Sequence, residues 1–164
     1  MMTVTELPLG LPGKVYSCPM PYGEFDPDKD TFSQLIKNEV SYIVVLVSDE
    51  ELFRKTSMNL REVYTDAGMM VIHLPIQDYD VPDASQLRCA IERAMKVLQD
   101  GSNLAIHCSA GIGRTGTFAA CLAKHALGVN GKQAVEWVRQ SVPGSIETYE
   151  QEQFVLDFIF KEVA

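Results

Sequence analysis

The chain has 164 residues, enough for one domain with a core that stands alone. Hydrophobic residues make up 46% and charged residues 22%, a globular balance that excludes a disordered or low-complexity chain. The formal net charge of −8 argues against nucleic acid or an anionic membrane as the main partner, because both are bound through basic surface.

In chain order, the opening stretch MMTVTELPLGLPG lacks the basic and apolar parts of a secretion signal, and no apolar run anywhere is long enough to span a bilayer. A cytoplasmic protein is expected. Residues 10–27 are rich in glycine and proline, with one short strand near 14–17. Asp30 or Thr31 is expected to cap a helix running through Asn38. Residues 42–47, YIVVLV, are a continuous apolar run that predicts a strand buried on both faces. Residues 48–55 and 60–66 read as short helices. Residues 69–76, MMVIHLPI, give a second buried strand closed by Pro75, and the loop QDYDVPD follows.

Asp83 is placed to cap the next helix, where Leu87, Ile91, Ala94 and Leu98 recur at helical spacing. Residues 103–108, NLAIHC, are the third buried strand. The segment 117–128 is apolar nearly all round, which predicts a central helix ending at Gly128. Two further helices are expected over 131–142 and 148–162. Strands alternating with helices predict one α/β domain over residues 1–164 with an at least partly parallel sheet. Cys18, Cys89, Cys108 and Cys121 show no paired or zinc-like spacing, so they read as free thiols in a reducing compartment, with no metal site.

The segment IHCSAGIGRTG, residues 106–116, lies between the third strand and the central helix. Gly111, Gly113 and Gly116 spell G-x-G-x-x-G, the pattern of a dinucleotide-binding turn. That reading requires another parallel strand after the helix, ending in an acidic residue for the ribose. The sequence continues into GVNG and then into helical patterns, so the required strand is missing. A second reading uses Cys108 and Arg114. A loop of small residues at a helix N-terminus can aim the N–H groups of Ser109, Ala110, Gly111, Ile112, Gly113 and Arg114 at one anion. Arg114 adds a bidentate fork for phosphate oxygens. The same field favours the ionised sulfur of Cys108, which is the nucleophilic form.

Residues 107–116 resemble the H-C-x-x-G-x-x-R-[ST]-G signature of cysteine-dependent protein tyrosine phosphatases. The short length and the PIQDYDVPD segment are similar to the small dual-specificity-like branch, including the cyclin-dependent-kinase-associated type and compact archaeal tyrosine phosphatases. The resemblance is fullest over residues 71–154. It implies the protein tyrosine phosphatase-like fold, a mixed and largely parallel sheet flanked by helices. It also implies Cys108 as nucleophile, Arg114 and the loop amides as the phosphate cradle, and His107 as a support that organises the loop. Thr115 is implied as the hydroxyl that eases departure of the sulfur.

The general acid must be a carboxyl on a loop facing the pocket. Asp78, Asp80 and Asp83 are the candidates. Asp83 is better explained as a helix cap, and Asp78 follows the strand exit at the place the acid holds in the kinase-associated branch. Asp78 is therefore the first choice and Asp80 the second. Near the C-terminus, PGSIETYEQEQF resembles the family segment P-G-x-[IV]-Q-T-x-x-Q, whose glutamines place the hydrolytic water. Thr148 and Gln151 match it. The first glutamine is Glu147 here, and an arginine often found before Pro143 is Val142. A carboxylate near bound phosphate is repelled, so Glu147 is expected either to turn away or to act as a base.

The expectation is a monomeric phosphatase that acts on phosphoproteins through a phosphocysteine, hydrolysing phosphotyrosine and also phosphoserine/threonine, with no cofactor. Two alternatives stay open: a phosphopeptide-binding module that has lost turnover, and a phosphatase of RNA 5′ ends or phosphoinositides. The loop brings no lysine and the chain is acidic, which weighs against highly anionic substrates.

Overall fold

The computed structural model describes residues 3–161. Its strands are β1 (Thr5–Leu7), β2 (Val15–Cys18), β3 (Val40–Val45), β4 (Met70–His73) and β5 (Asn103–His107). They form one five-stranded sheet in the order β1-β2-β5-β3-β4. β2, β5, β3 and β4 are mutually parallel, and β1 runs antiparallel to β2. The helices are α1 (Thr31–Lys37), α2 (Asp49–Thr56), α3 (Leu60–Asp66), α4 (Ala84–Gln99), α5 (Gly113–Leu127), α6 (Gly131–Ser141) and α7 (Tyr149–Asp157). Among the described residues no helix is long and apolar enough to cross a membrane.

The apolar runs are buried where the sheet is central. Ile43, Val44, Val45, Leu46 and Val47 from the β3 run, and Leu104, Ala105 and Ile106 from β5, are fully inaccessible. Each such Val, Leu or Ile side chain contributes about 1.5–3 kcal/mol relative to exposure. β4 departs from the expectation of burial on both faces: Met70 is 56% exposed. The reason is its place at the sheet edge, where the helices cover less of it. β1 was not legible as a strand, because three residues carry too little alternation to register. It is held by its register against β2, Thr5 opposite Ser17 and Leu7 opposite Val15.

Helix ends follow side-chain chemistry. Ser48, Asp83, Asn130 and Thr148 cap α2, α4, α6 and α7 through their side chains. At α1 Asp30 holds the N-cap position, as expected, but its side chain makes no capping bond; the Thr31 N–H donates instead to Asp26 Oδ1 at 3.2 Å. α5 ends at left-handed Gly128, as its position after the apolar run predicts. α7 is shorter than the expected 148–162. Lys124 Nζ takes the carbonyls of Val155 (2.8 Å) and Phe158 (2.7 Å), and the chain leaves the helix there. Phe160 then stacks on His125, and Glu162 lies outside the described residues.

Four parallel strands end along one edge of the sheet, at Cys18, Val45, His73 and His107. Ligands of open α/β sheets bind at this edge. The loop after β5 docks against the end of β2 at Gly111, whose φ is +81°. A Cβ there would lie 2.5 Å from the Cys18 carbonyl oxygen. Gly111→Ala should therefore cost about 1–3 kcal/mol of unfolding free energy in a denaturant titration, through strain at a left-handed position.

Candidate active site

β5 ends at His107 and α5 begins at Gly113, so residues 108–112 make the whole turn between them. The carbonyls of this turn are tied outward. That of Ser109 accepts from Met20 N at 2.9 Å, that of Gly111 from Ser17 Oγ at 3.4 Å, and that of Ile112 from Ile146 N at 3.1 Å. Gly113 O accepts from Thr117 Oγ1 at 2.9 Å, and Cys108 O is bonded to His107 Nδ1 at 2.9 Å. With the carbonyls engaged, the N–H groups are left for the concave side. Among the described residues the amides of residues 109–113 donate to no protein acceptor. Successive unpartnered amides of this kind are what an anion-binding nest requires. Cys108 lies at its base, 3% exposed.

Arg114 is 1% exposed, and its guanidinium is fixed on two sides. Nη1 and Nη2 donate to Glu51 Oε1 and Oε2, each at 2.9 Å. Nη1 also donates to the Ile76 carbonyl at 2.8 Å, and Nη2 lies 3.3 Å from Asp78 Oδ1. Lys55 Nζ, 3.3 Å from Glu51 Oε2, donates to Ser109 Oγ at 2.8 Å. Burial pushes the Glu51 carboxyl up, but the hydrogen bonds and charge of Arg114, with those of Lys55, hold it below its ordinary value. Two buried polar side-chain atoms have no partner among the described residues, Arg114 Nε and Thr115 Oγ1. Both belong to the residues at the start of α5, beside the nest.

His107 is fully buried between Cys108 O and the Tyr64 hydroxyl, 2.8 Å from Nε2. A carbonyl only accepts, so Nδ1 carries the proton and the Tyr64 hydroxyl donates to Nε2. Burial lowers its pKa to about 4, so the ring is neutral at physiological pH. It supports the loop rather than carrying charge. Burial, with the Cys108 charge second, pushes the Cys18 thiol well up, and burial raises Cys121 to about 12. Neither of these two thiols is reactive at neutral pH.

Asp78 and Asp80 sit on the same loop but face different ways. Asp78 approaches Arg114, while Asp80 Oδ1 accepts from the Val81 N–H at 2.7 Å. Asp83 Oδ1 accepts from Gln86 N at 2.9 Å, as a helix cap does. Between the first two lies Tyr79 in the left-handed region, φ +64°, a conformation that costs a non-glycine residue about 1–3 kcal/mol. The loop is tied to the start of α7. Gln151 Nε2 donates to Asp80 O at 3.2 Å, and Thr148 Oγ1 to Tyr79 O at 3.5 Å. Gln151 Oε1 accepts from Glu147 N at 2.9 Å and Thr148 N at 3.2 Å. Gln151 is fully buried with both ends of its amide engaged. Glu147 is exposed, yet its carboxylate lies over Gly113, filling the space a Cβ would occupy.

The profile of the family described as "Polymorphic toxin system, DSP-PTPase phosphatase" matches residues 19–126. The chain belongs to the dual-specificity-type protein tyrosine phosphatases. Cyclin-dependent kinase inhibitor 3 of Rattus norvegicus is 28% identical over 132 residues, 79% of this chain and 62% of that protein. Protein tyrosine phosphatase domain-containing protein 1 of Bos taurus is 34% identical over 99 residues, 60% of this chain and 12% of that protein. The chain thus spans only a small part of the latter's length. Among solved structures, Tk-PTP in its active form is 30% identical, with 93% of each chain covered and a TM-score of 0.74. Kinase associated phosphatase, with its catalytic-site cysteine replaced by serine, shares the fold at a TM-score of 0.86, covering 96% of this chain and 93% of that one at 24% identity.

The family signature marks Cys108 and Arg114 but is silent on what fixes the arginine. Glu51 and Lys55 come from α2, where SDEELFRK reads as an ordinary charged helix start; no local signal turns Glu51 inward. The loop does therefore receive a lysine, Lys55, which is 54 residues away in the chain from Ser109 and is brought there by the fold rather than by the loop's own sequence. Val142 is buried, and Arg139, one turn earlier in α6, holds the following segment through the carbonyls of Ser145 (2.9 Å) and Ile146 (3.1 Å).

Removing one partner of a buried ion pair costs about 3–5 kcal/mol, so Glu51→Gln should destabilise the fold by that amount in urea. The acid limb is signed by two groups. His107 is held neutral, so protonation of the unfolded chain erodes stability as pH falls below 6.5. Glu51 is held below its ordinary value, so its contribution, complete at higher pH, is lost as pH falls through that lowered value. Melting temperature should therefore fall from about pH 6.5 downward, and less steeply at the acid end in Glu51→Gln.

Proposed function

We propose that the chain is a protein tyrosine/dual-specificity phosphatase that hydrolyses phosphotyrosine, and phosphoserine/threonine where the side chain reaches the base of the nest. The observation that carries the reading is Cys108 in a loop whose carbonyls at Ser109, Gly111 and Ile112 are engaged by neighbouring segments, beside a guanidinium already oriented by Glu51. Donors held in place before the substrate arrives cost no reorganisation during reaction, and this is where most of the rate in phosphoryl transfer comes from.

In the first half, Cys108 Sγ attacks phosphorus in line with the ester oxygen. The S–P bond forms, the P–O bond breaks, and Asp78 gives its proton to the leaving oxygen. Arg114 Nε and the loop amides take the equatorial oxygens. In the second half, water attacks phosphorus, the Asp78 carboxylate receives its proton, and the S–P bond breaks to release phosphate and the thiolate. The unpartnered Thr115 hydroxyl supplies a hydrogen bond to the departing sulfur.

A phosphoprotein is the substrate class this reading names, in a reducing compartment such as the cytoplasm, where four free cysteines persist. Lys55 belongs to Glu51 and Ser109, which leaves a cradle sized for a single phosphate rather than a surplus of cations for a polyphosphate. Cys108→Ser should abolish turnover of phosphotyrosine and phosphothreonine peptides in a phosphate-release assay while the melting temperature is kept; retained turnover contradicts the mechanism. Asp78→Asn should lose about 10²–10⁴ in kcat with phosphotyrosine, far more than Asp80→Asn, and the reverse order would reassign the acid.

A further inference from the structure

We propose that Gln151 is a positioning residue that latches the loop of the general acid, a role beyond the water placement the family resemblance implies. The inference rests on the phosphatase reading for its consequence, but its geometry stands by itself.

Placing a water requires an amide end that is free to face the nest. Gln151 has none. Its oxygen accepts from the N–H groups of Glu147 and Thr148, which completes the capping box of α7. Its nitrogen donates to the Asp80 carbonyl. The side chain is fully buried, so no second rotamer opens onto solvent without breaking both sets of bonds.

The loop it grips needs gripping. Tyr79 holds a left-handed φ between Asp78 and Asp80, and left-handed conformations of bulky residues persist only where surrounding contacts over-determine them. The local bonds of the loop are short-range: Tyr79 N to Asp78 Oδ1, Val81 N to Asp80 Oδ1 and Asp80 N to Gln77 O. They shape the turn without fixing it to the body of the protein. Arg114 attaches the loop on one side, through the Ile76 carbonyl and Asp78, and the bonds from α7 attach it on the other, Gln151 to Asp80 and the longer one from Thr148 to Tyr79. A loop so attached carries the Asp78 carboxyl within 3.3 Å of Arg114. Released from Gln151, the turn can relax its strained residue, and Asp78 moves away from the leaving oxygen.

The test is Gln151→Glu, with Gln151→Met as a harsher second variant. Glutamate keeps the oxygen that caps α7 and replaces the donor to Asp80 with an acceptor. Rapid-quench kinetics are run with a phosphotyrosine peptide, whose leaving group needs protonation, and with 2,4-dinitrophenyl phosphate, whose leaving group does not. The latch predicts that Gln151→Glu loses about tenfold or more in kcat/KM with phosphotyrosine and much less with the dinitrophenyl ester. It also predicts that the alkaline fall of the pH–rate profile, which reports the protonated acid, flattens, and that no phosphocysteine accumulates beyond the parent level. A loss equal for both substrates, with phosphocysteine building up, is the water-placing result and overturns the proposal. Hydrogen exchange judges the latch without turnover: exchange should rise at residues 78–81 and stay unchanged in α7. Unchanged exchange at 78–81 overturns the latch, whereas a parent enzyme without Cys108-dependent turnover overturns the phosphatase reading instead.

Discussion

The bidentate pair between Glu51 and Arg114 is the contact on which the site depends. A guanidinium on a long, free side chain would have to be ordered each time a substrate arrived, and a lone one buried at 1% exposure would be too costly to keep. Glu51 meets both demands, since two parallel bonds of 2.9 Å fix the plane of the fork and neutralise it. Lys55 then balances Glu51 and reaches the loop through Ser109. Arg114 and Lys55 thus gather two cations around the carboxylates of Glu51 and Asp78, within a chain whose net charge is −8.

The sheet brings these parts together. Parallel strands deliver Cys18, Val45, His73 and His107 to one edge, so the loop after β5, the start of α2 and the loop after β4 converge there. The three glycines of the loop serve packing on three different neighbours. Gly111 fits against the Cys18 carbonyl, Gly113 under Glu147 and Gly116 against the Ile146 N–H. Two of the non-glycine residues with positive φ, Tyr79 and β-branched Ile146, lie around the same place. Tertiary hydrogen bonds from α7 and α6 hold both: Gln151 beside Tyr79, and Arg139 at Ile146.

How much of this the sequence disclosed follows from which forces are local. Apolar periodicity exposed the central strands and α4, and the cap residues Asp83 and Gly128 marked helix ends correctly. The strand–loop–helix order around Cys108 and Arg114 was legible because the chemistry sits within ten consecutive residues. What stayed hidden acts across the chain. β1 exists through its pairing with β2, α7 stops where Lys124 captures its carbonyls, and the first N–H of α1 donates to Asp26. Glu51 and Lys55 face the loop because of how α2 packs, not because of any pattern in SDEELFRK. Gln151 matched a family segment in the sequence, but its partners were not legible, since hydrogen bonds to a loop 71 residues away leave no trace in sequence.

The central claim is that an anion sits on the inward amides of residues 109–114 between the Cys108 sulfur and the Arg114 fork. The most direct measurement is a crystal of the full chain soaked in tungstate. The account predicts the oxyanion seated in that cup, its oxygens on the loop N–H groups and on Arg114 Nε, with Cys108 Sγ facing the metal atom of the ion and the Glu51 pair intact. A cup left empty at saturating tungstate, or a Cys108 sulfur turned away from it, would contradict the account.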